Sequence, residues 1–212
     1  MLLKESAENI CDYLKTLPQV KRCALSGSLC RGNFDKYSDI DIEIDVSGTD
    51  NGQFVMEIPD LLSNKFQVIY YDYAAGLAPD KYVVSIAIDE DNPFMLADIC
   101  CCAAPHCTSV SKQDLNRINN KFDHILKLFT INLKHYIRGA DCCKDIQKMY
   151  KKLFEDSVSL ANEEMLDRVY GWIKENAEER HERYIKSYKR YIGEVEQEKA
   201  RGKLSCIPEG FW

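Results

Sequence analysis

The sequence predicts an α+β protein: a strand-rich first half with flanking helices, followed by a C-terminal helical bundle. Three observations carry this. Residues 1–110 hold most of the β-branched and alternating segments, with turn clusters between them. Residues 111–212 hold no proline before Pro208 and few glycines, and their apolar residues recur at helical spacing. One segment, Asp39 to Val46, alternates acid and aliphatic without a break, the signature of a half-buried strand. The predicted domains are therefore 1–110 and 111–212, meeting near Pro105–Ser111 and packed together. A chain of 212 residues can bury one good core or divide into two small ones.

The elements follow in order. A helix is expected over Ser6–Leu17, with Ile10, Tyr13, Leu14 and Leu17 on one face and Pro18 ending it. A short strand, Val20–Leu25, runs into Gly27-Ser28 and a helical turn over Leu29–Gly32. The alternating strand Asp39–Val46 comes next, then Phe66–Tyr71. A hairpin with arms Tyr82–Ile88 and Phe94–Cys102 is joined by Asp89-Glu90-Asp91-Asn92-Pro93. Four helices are predicted beyond it, over 112–137, 140–159, 162–178 and 180–200. The first carries the stripe Phe122, Ile125, Leu126, Phe129, Leu133 and Tyr136, which reads as core. Tyr184, Tyr188 and Tyr191 form a second stripe, assigned to core or interface. The apolar faces of this half also offer a homodimer contact.

Composition narrows the function. The net charge is −6, with basic residues scattered among as many acids, which argues against gripping a long nucleic acid. No apolar run is long enough to span a bilayer, so no membrane role is expected. The opening MLLKESAENI lacks the apolar core of a secretory signal, and a cytoplasmic protein is expected. Ten cysteines include Cys100-Cys101-Cys102 and the pair Cys142-Cys143, but no C-x-x-C. They are read as reduced thiols packed as small hydrophobes. Cys102, His106 and Cys107 make the nearest metal-like cluster, and packing is the preferred reading there too.

The chemistry concentrates in two places. In a strand successive side chains point to opposite faces, so Ile40, Ile42, Ile44 and Val46 face the core and the acids line the other side. Asp39 and Asp41 are then same-face neighbours roughly 7 Å apart. Aspartate is a poor strand former and stacked like charges repel. For Glu43 and Asp45 a solvated outer face suffices. For Asp39 and Asp41 the upstream Ser26-Gly27-Ser28 supplies a reason. Glycine lets a phosphate approach the backbone, N–H groups at a helix start favour anions, and the serine hydroxyl adds a donor. A strand end, an anion-accepting turn and paired carboxylates suit Mg²⁺ bound to a triphosphate, because Mg²⁺ takes a few carboxylates plus phosphate oxygens.

Gly27-Ser28, ten intervening residues and Asp39-x-Asp41 resemble the signature of the DNA polymerase β-like nucleotidyltransferase superfamily. The run GSLCRGNFDKYSDIDIEI looks like its small bacterial members, the lincosamide and aminoglycoside nucleotidyltransferases. LKHYIRGADC, from Leu133 to Cys142, is loosely similar to the helix junction of the lincosamide enzymes. The resemblance implies a nucleotidyltransferase mixed β-sheet with flanking helices. It implies that Gly27, Ser28 and the turn hold the triphosphate while Asp39 and Asp41 bind two Mg²⁺ ions. A third acid on a neighbouring strand serves in the family as metal ligand or general base. Asp98, the only charge in the apolar run Phe94–Cys102, is assigned here, with Asp72 and Asp89 as rivals at strand ends. Arg31 and Lys134 are candidates to neutralise phosphates, and Lys36 is considered with them. Cys30 lies beside the site but has no histidine near it in sequence, so it is not read as a nucleophile.

The expected reaction moves a nucleoside monophosphate, AMP from ATP or another nucleoside triphosphate, to a hydroxyl of a small molecule. An antibiotic suits the acidic balance, since acid-lined clefts attract cationic aminoglycosides. One alternative is an AMPylating enzyme acting on a partner protein, as in toxin–antitoxin pairs. The other is a nucleotide-binding module without turnover, opposed by the intact Gly27, Ser28, Asp39 and Asp41.

Overall fold

The structure is a computed structural model, and it describes residues 3–74, 78, 80–155 and 160–200. Cys206, Pro208 and positions 156–159 of the second predicted helix lie outside the described residues. Five described strands make one mixed sheet. They are β1 (Arg22–Leu25), β2 (Ile40–Asp45), β3 (Tyr70–Ala74), β4 (Lys81–Ala87) and β5 (Leu96–Cys102), in the order β1-β2-β5-β4-β3. Only β2 and β5 pair in parallel; the other neighbours are antiparallel. The fold is α+β, as the sequence predicts. Contacts divide the chain into two compact units, one of residues 1–89 and 94–120, the other of 90–93 and 121–212.

In the first unit the alternation of β2 is realised residue by residue. Ile40, Ile42, Ile44 and Val46 are at most 1% exposed, while Asp41, Glu43 and Asp45 are half-buried on the opposite face. The isoleucines join Val84, Ile86, Ile99 and Cys101 from the neighbouring strands. Helices α1 (Leu3–Lys15) and α3 (Asn51–Ser63) pack on this apolar face through Ile10, Leu14, Phe54, Val55, Ile58 and Leu62. The row of acids and the core are thus consequences of one period-two pattern.

The sequence reading missed α3. Its stretch NGQFVMEIPDLLS opens on turn residues and contains Pro59, which removes one helical N–H. The apolar side chains at 54, 55, 58 and 62 recur at helical spacing, and their burial outweighs that loss. Asp50 caps the helix, its Oδ1 accepting from Gln53 N at 2.8 Å.

Two further expectations change. The strand expected over Phe66–Tyr71 sits later, at Tyr70–Ala74, where β3 forms the sheet edge. The helix expected over 112–137 is broken into α4 (Lys112–Ile118) and α5 (Lys121–Ile137). Asn119 leaves helical geometry, with φ −58° and ψ 133°. Its amide carbonyl accepts from Tyr73 N at 2.8 Å and its amide nitrogen donates to Tyr73 O at 3.0 Å. The side chain of Asn119 therefore completes the outer edge of β3 as another strand would.

The second unit holds α5, α6 (Cys143–Tyr150), α7 (Asn162–Asn176), a 3₁₀ turn at Glu179–His181 and α8 (Glu182–Ala200). Ile125, Leu126, Phe129 and Leu133 of the predicted stripe are buried. Phe129 stacks on Tyr170 with ring centroids 5.7 Å apart and meets Tyr188 edge-on at 5.3 Å. Tyr184 and Tyr188 are fully buried core within this unit, while Tyr191 is half-buried. The loop Glu90–Pro93 belongs here as well. Arg183 pairs with Asp91 at 2.7 Å and Glu90 at 3.3 Å, and Tyr184 OH donates to Pro93 O at 2.6 Å. No helix among the described residues is long and apolar enough to cross a membrane.

Candidate active site

The site begins where β1 ends. Helix α2 runs from Gly27 to Arg31, two residues earlier than expected, and Gly32 closes it in the left-handed region at φ 72°. Ser26 N donates to Asp41 O at 2.8 Å, extending the β1–β2 pairing to the threshold of the helix. Gly27 adopts φ 59°, and a Cβ built there would lie 1.7 Å from Asp41 Oδ2. No side chain but hydrogen fits that position. The close approach that the glycine permits is used by the Asp41 carboxylate itself. Beside it, the Ser28 hydroxyl is buried and makes no hydrogen bond. Buried hydroxyls are nearly always satisfied, so this one has a hydrogen bond available for a ligand oxygen.

Asp39 stands one residue before β2 and is half-buried. The turn that delivers it is built by Asp35. Its Oδ1 accepts from Tyr37 N at 2.9 Å and from Ser38 Oγ at 3.0 Å, while Ser38 Oγ accepts from Asp35 N at 2.9 Å. Tyr37 is anchored edge-on against Phe94, with ring centroids 5.3 Å apart. Sequence reasoning gave Asp35 and Ser38 no role, although Asp-x-x-Ser is a recognisable turn composition.

Register decides where the third acid falls. Asp41 pairs with Asp98 across β2 and β5, Asp98 with Ser85 across β5 and β4, and Ser85 with Asp72 across β4 and β3. Registered neighbours point to the same face, so these four side chains form one polar row opposite the isoleucine core, with adjacent strands about 4.8 Å apart. The row has a closed end and an open end. Asp72 is 1% exposed and Ser85 2%, whereas Asp41 and Asp98 are both half-buried. Asp89 lies beyond the end of β4, off the row. Arg31 is exposed at the end of α2. Lys134 belongs to α5 of the other unit and is 5% exposed.

Two residues further along the same face, Glu43 pairs with Cys100, and Asp45 with Cys102. Burial pushes the Cys100 thiol up to about 12 and raises Cys102 as well. Cys102, His106 and Cys107 do not converge as a ligand set among the described residues. His106 stacks on Tyr82 and Cys107 is exposed. Cys11, Cys23, Cys101 and Cys142 are buried free thiols, consistent with packing. Cys30 is exposed.

Residues 7–89, from within α1 to just beyond β4, match the family model described as Nucleotidyltransferase domain. The match contains Gly27, Ser28, Asp39 and Asp41, and stops before Asp98. It supports membership of this segment in the DNA polymerase β-like nucleotidyltransferase superfamily, and nucleotidyl transfer as the general activity. No curated protein matches the chain.

Proposed function

We propose that the protein is an adenylyltransferase, moving AMP from ATP to a hydroxyl of a small molecule and releasing pyrophosphate. The observation that carries this is the shared register position of Asp41 and Asp98 at the open end of one polar row, with Gly27 packed against the Asp41 carboxylate. The Asp41 carboxylate seated against Gly27 and the Ser28 hydroxyl without a hydrogen bond fit a nucleotide's phosphates carried with a hard divalent cation, Mg²⁺ above all. Asp39, Asp41 and Asp98, whose carboxylate oxygens do not all lie within 4.8 Å of one another, would draw together to hold two such ions. Bound there, the ions would supply positive charge to offset the negative charge of the phosphate oxygens during displacement at the α-phosphorus.

The chain's own residues supply the rest. Ser28 Oγ donates to a phosphate oxygen and orients the triphosphate against α2. Gly27 leaves the Asp41 carboxylate room to face the ligand. Arg31, exposed at the end of α2, neutralises the outer phosphates. Asp98 accepts the proton of the attacking hydroxyl as general base. Among the rival acids, Asp72 is closed off at the buried end of the row and Asp89 lies off it, which favours Asp98. Lys134 is a second candidate for the phosphates, contributed by α5.

The acceptor is a cationic hydroxylated molecule of the aminoglycoside kind. An acid-lined sheet face and a net charge of −6 favour such a substrate over a polynucleotide. We assign catalysis to the first unit. The test supplies ATP labelled at the α-phosphate with a panel of hydroxylated antibiotics. Label should move to an acceptor with release of unlabelled pyrophosphate. Transfer of a γ-phosphate label would contradict the proposal.

A further inference from the structure

Beyond the Asp41–Asp98 row the same sheet face changes from hard to soft ligands. Glu43 follows on β2, and Cys100 and Cys102 follow on β5. The two sulfurs lie 3.8 Å apart. One ligand atom from each of the three residues lies within 4.8 Å of the others. We propose that Glu43, Cys100 and Cys102 form a second cation site, for a thiophilic d¹⁰ divalent ion of the Zn²⁺ class. It is separate from the carboxylate site and does not depend on the transfer reaction.

Geometry supports it first. Zinc–thiolate bonds of about 2.3 Å at a tetrahedral angle separate two sulfurs by about 3.8 Å. That is the separation found, and it is far beyond a disulfide bond of about 2.05 Å. The sulfurs are held there by the backbone. Cys100 and Cys102 sit two apart on one strand, so both point to one face, and β5 is paired on both sides, to β2 and to β4. A carboxylate oxygen completing such a site stands about 3.6 Å from each sulfur. Glu43 therefore needs a shift of at most about 1.2 Å, well within a glutamate side chain's reach.

What restrains Glu43 is weak. Lys81 Nζ is 3.3 Å from Oε2 and Arg22 Nη2 is 3.8 Å from Oε1, with the side chains of Lys81 and Arg22 42% and 70% exposed. Ion pairs that exposed contribute little and are readily exchanged for a cation. Three protein ligands leave a fourth position for water. Soft sulfur selects zinc-like ions, whereas Asp39, Asp41 and Asp98 offer only hard oxygen. Adjacent rows of one face would thus sort cations by chemistry.

The test uses the full-length protein stripped with a chelator and titrated with Co²⁺, without nucleotide. A thiolate-to-cobalt charge-transfer band should grow to saturation at one equivalent and vanish when Zn²⁺ displaces the cobalt. C100S/C102S should abolish the band. C30S/C107S, which removes exposed thiols, should leave it unchanged. Glu43→Gln, which keeps both thiols, should retain the band but weaken Zn²⁺ affinity at least about tenfold. Absence of the band in the unaltered protein, its loss in C30S/C107S, or unchanged Zn²⁺ affinity in Glu43→Gln would each overturn the site.

Discussion

The carboxylate of Asp41 occupies the space that a side chain at Gly27 would need, with Oδ2 1.7 Å from the position of the missing Cβ. Position 27 also holds φ at 59°, a conformation that costs an L-residue about 1–2 kcal/mol. Gly27→Ala should therefore lower stability by at least that amount and displace Asp41, abolishing transfer. Gly32→Ala is the control. It shares a positive φ of 72°, but no atom lies within 4 Å of its Cβ. It should show a similar backbone cost in thermal melts and keep its activity.

Asp98 shares a register position with Asp41, and its removal separates binding from chemistry. Asp98→Ala should slow transfer at least about a hundredfold, the range for losing a general base. ATP binding, followed by calorimetry, should fall less than in Asp39→Asn. In the absence of divalent metal the variant should melt no lower than the unaltered protein, because removing one clustered carboxylate relieves repulsion.

Asn119 substitutes for a missing strand at the β3 edge. Asn119→Ala takes away partners from both Tyr73 N and Tyr73 O. Unfolding in urea should show a loss of about 1–3 kcal/mol. Asn119→Asp keeps only the acceptor and should fall between the two.

Asp50 ties the start of α3 to the segment after β5. Burial alone would raise its carboxyl, but hydrogen bonds from Ser109 and Gln53 outweigh burial and hold it at about 2. Its unfolded value is about 3.9. A depressed folded value means that the stabilisation is complete above about pH 4 and is lost as pH falls through about 2. Asp50→Asn should therefore be less stable at neutral pH, with the gap to the unaltered protein closing over that acid window in equilibrium unfolding.

Much of this was readable in the chain because one pattern is so regular. The unbroken alternation from Asp39 to Val46 gives both the strand and its two faces, and every aliphatic position in it is buried. The hairpin arms β4 and β5 were legible for the same reason. Helix α3 was not, since Pro59 and Asn51-Gly52 carry local signals that oppose the helix and tertiary burial overrides them. The break at Asn119 was invisible because its cause is an edge strand 46 residues away in sequence. Asp98 could be singled out as a lone charge in an apolar run. Its alignment with Asp41, and that of Cys100 with Glu43, depend on a parallel pairing between strands that no local feature encodes.

Asp41 holds the cation through which nucleotide is bound and turned over in the proposed reaction. Transfer from α-labelled ATP by Asp41→Asn at saturating Mg²⁺, with circular dichroism to establish the fold, measures this. The variant should keep an intact fold, bind Mg²⁺-ATP more weakly and show no detectable transfer. Near-normal transfer by the folded variant would contradict it.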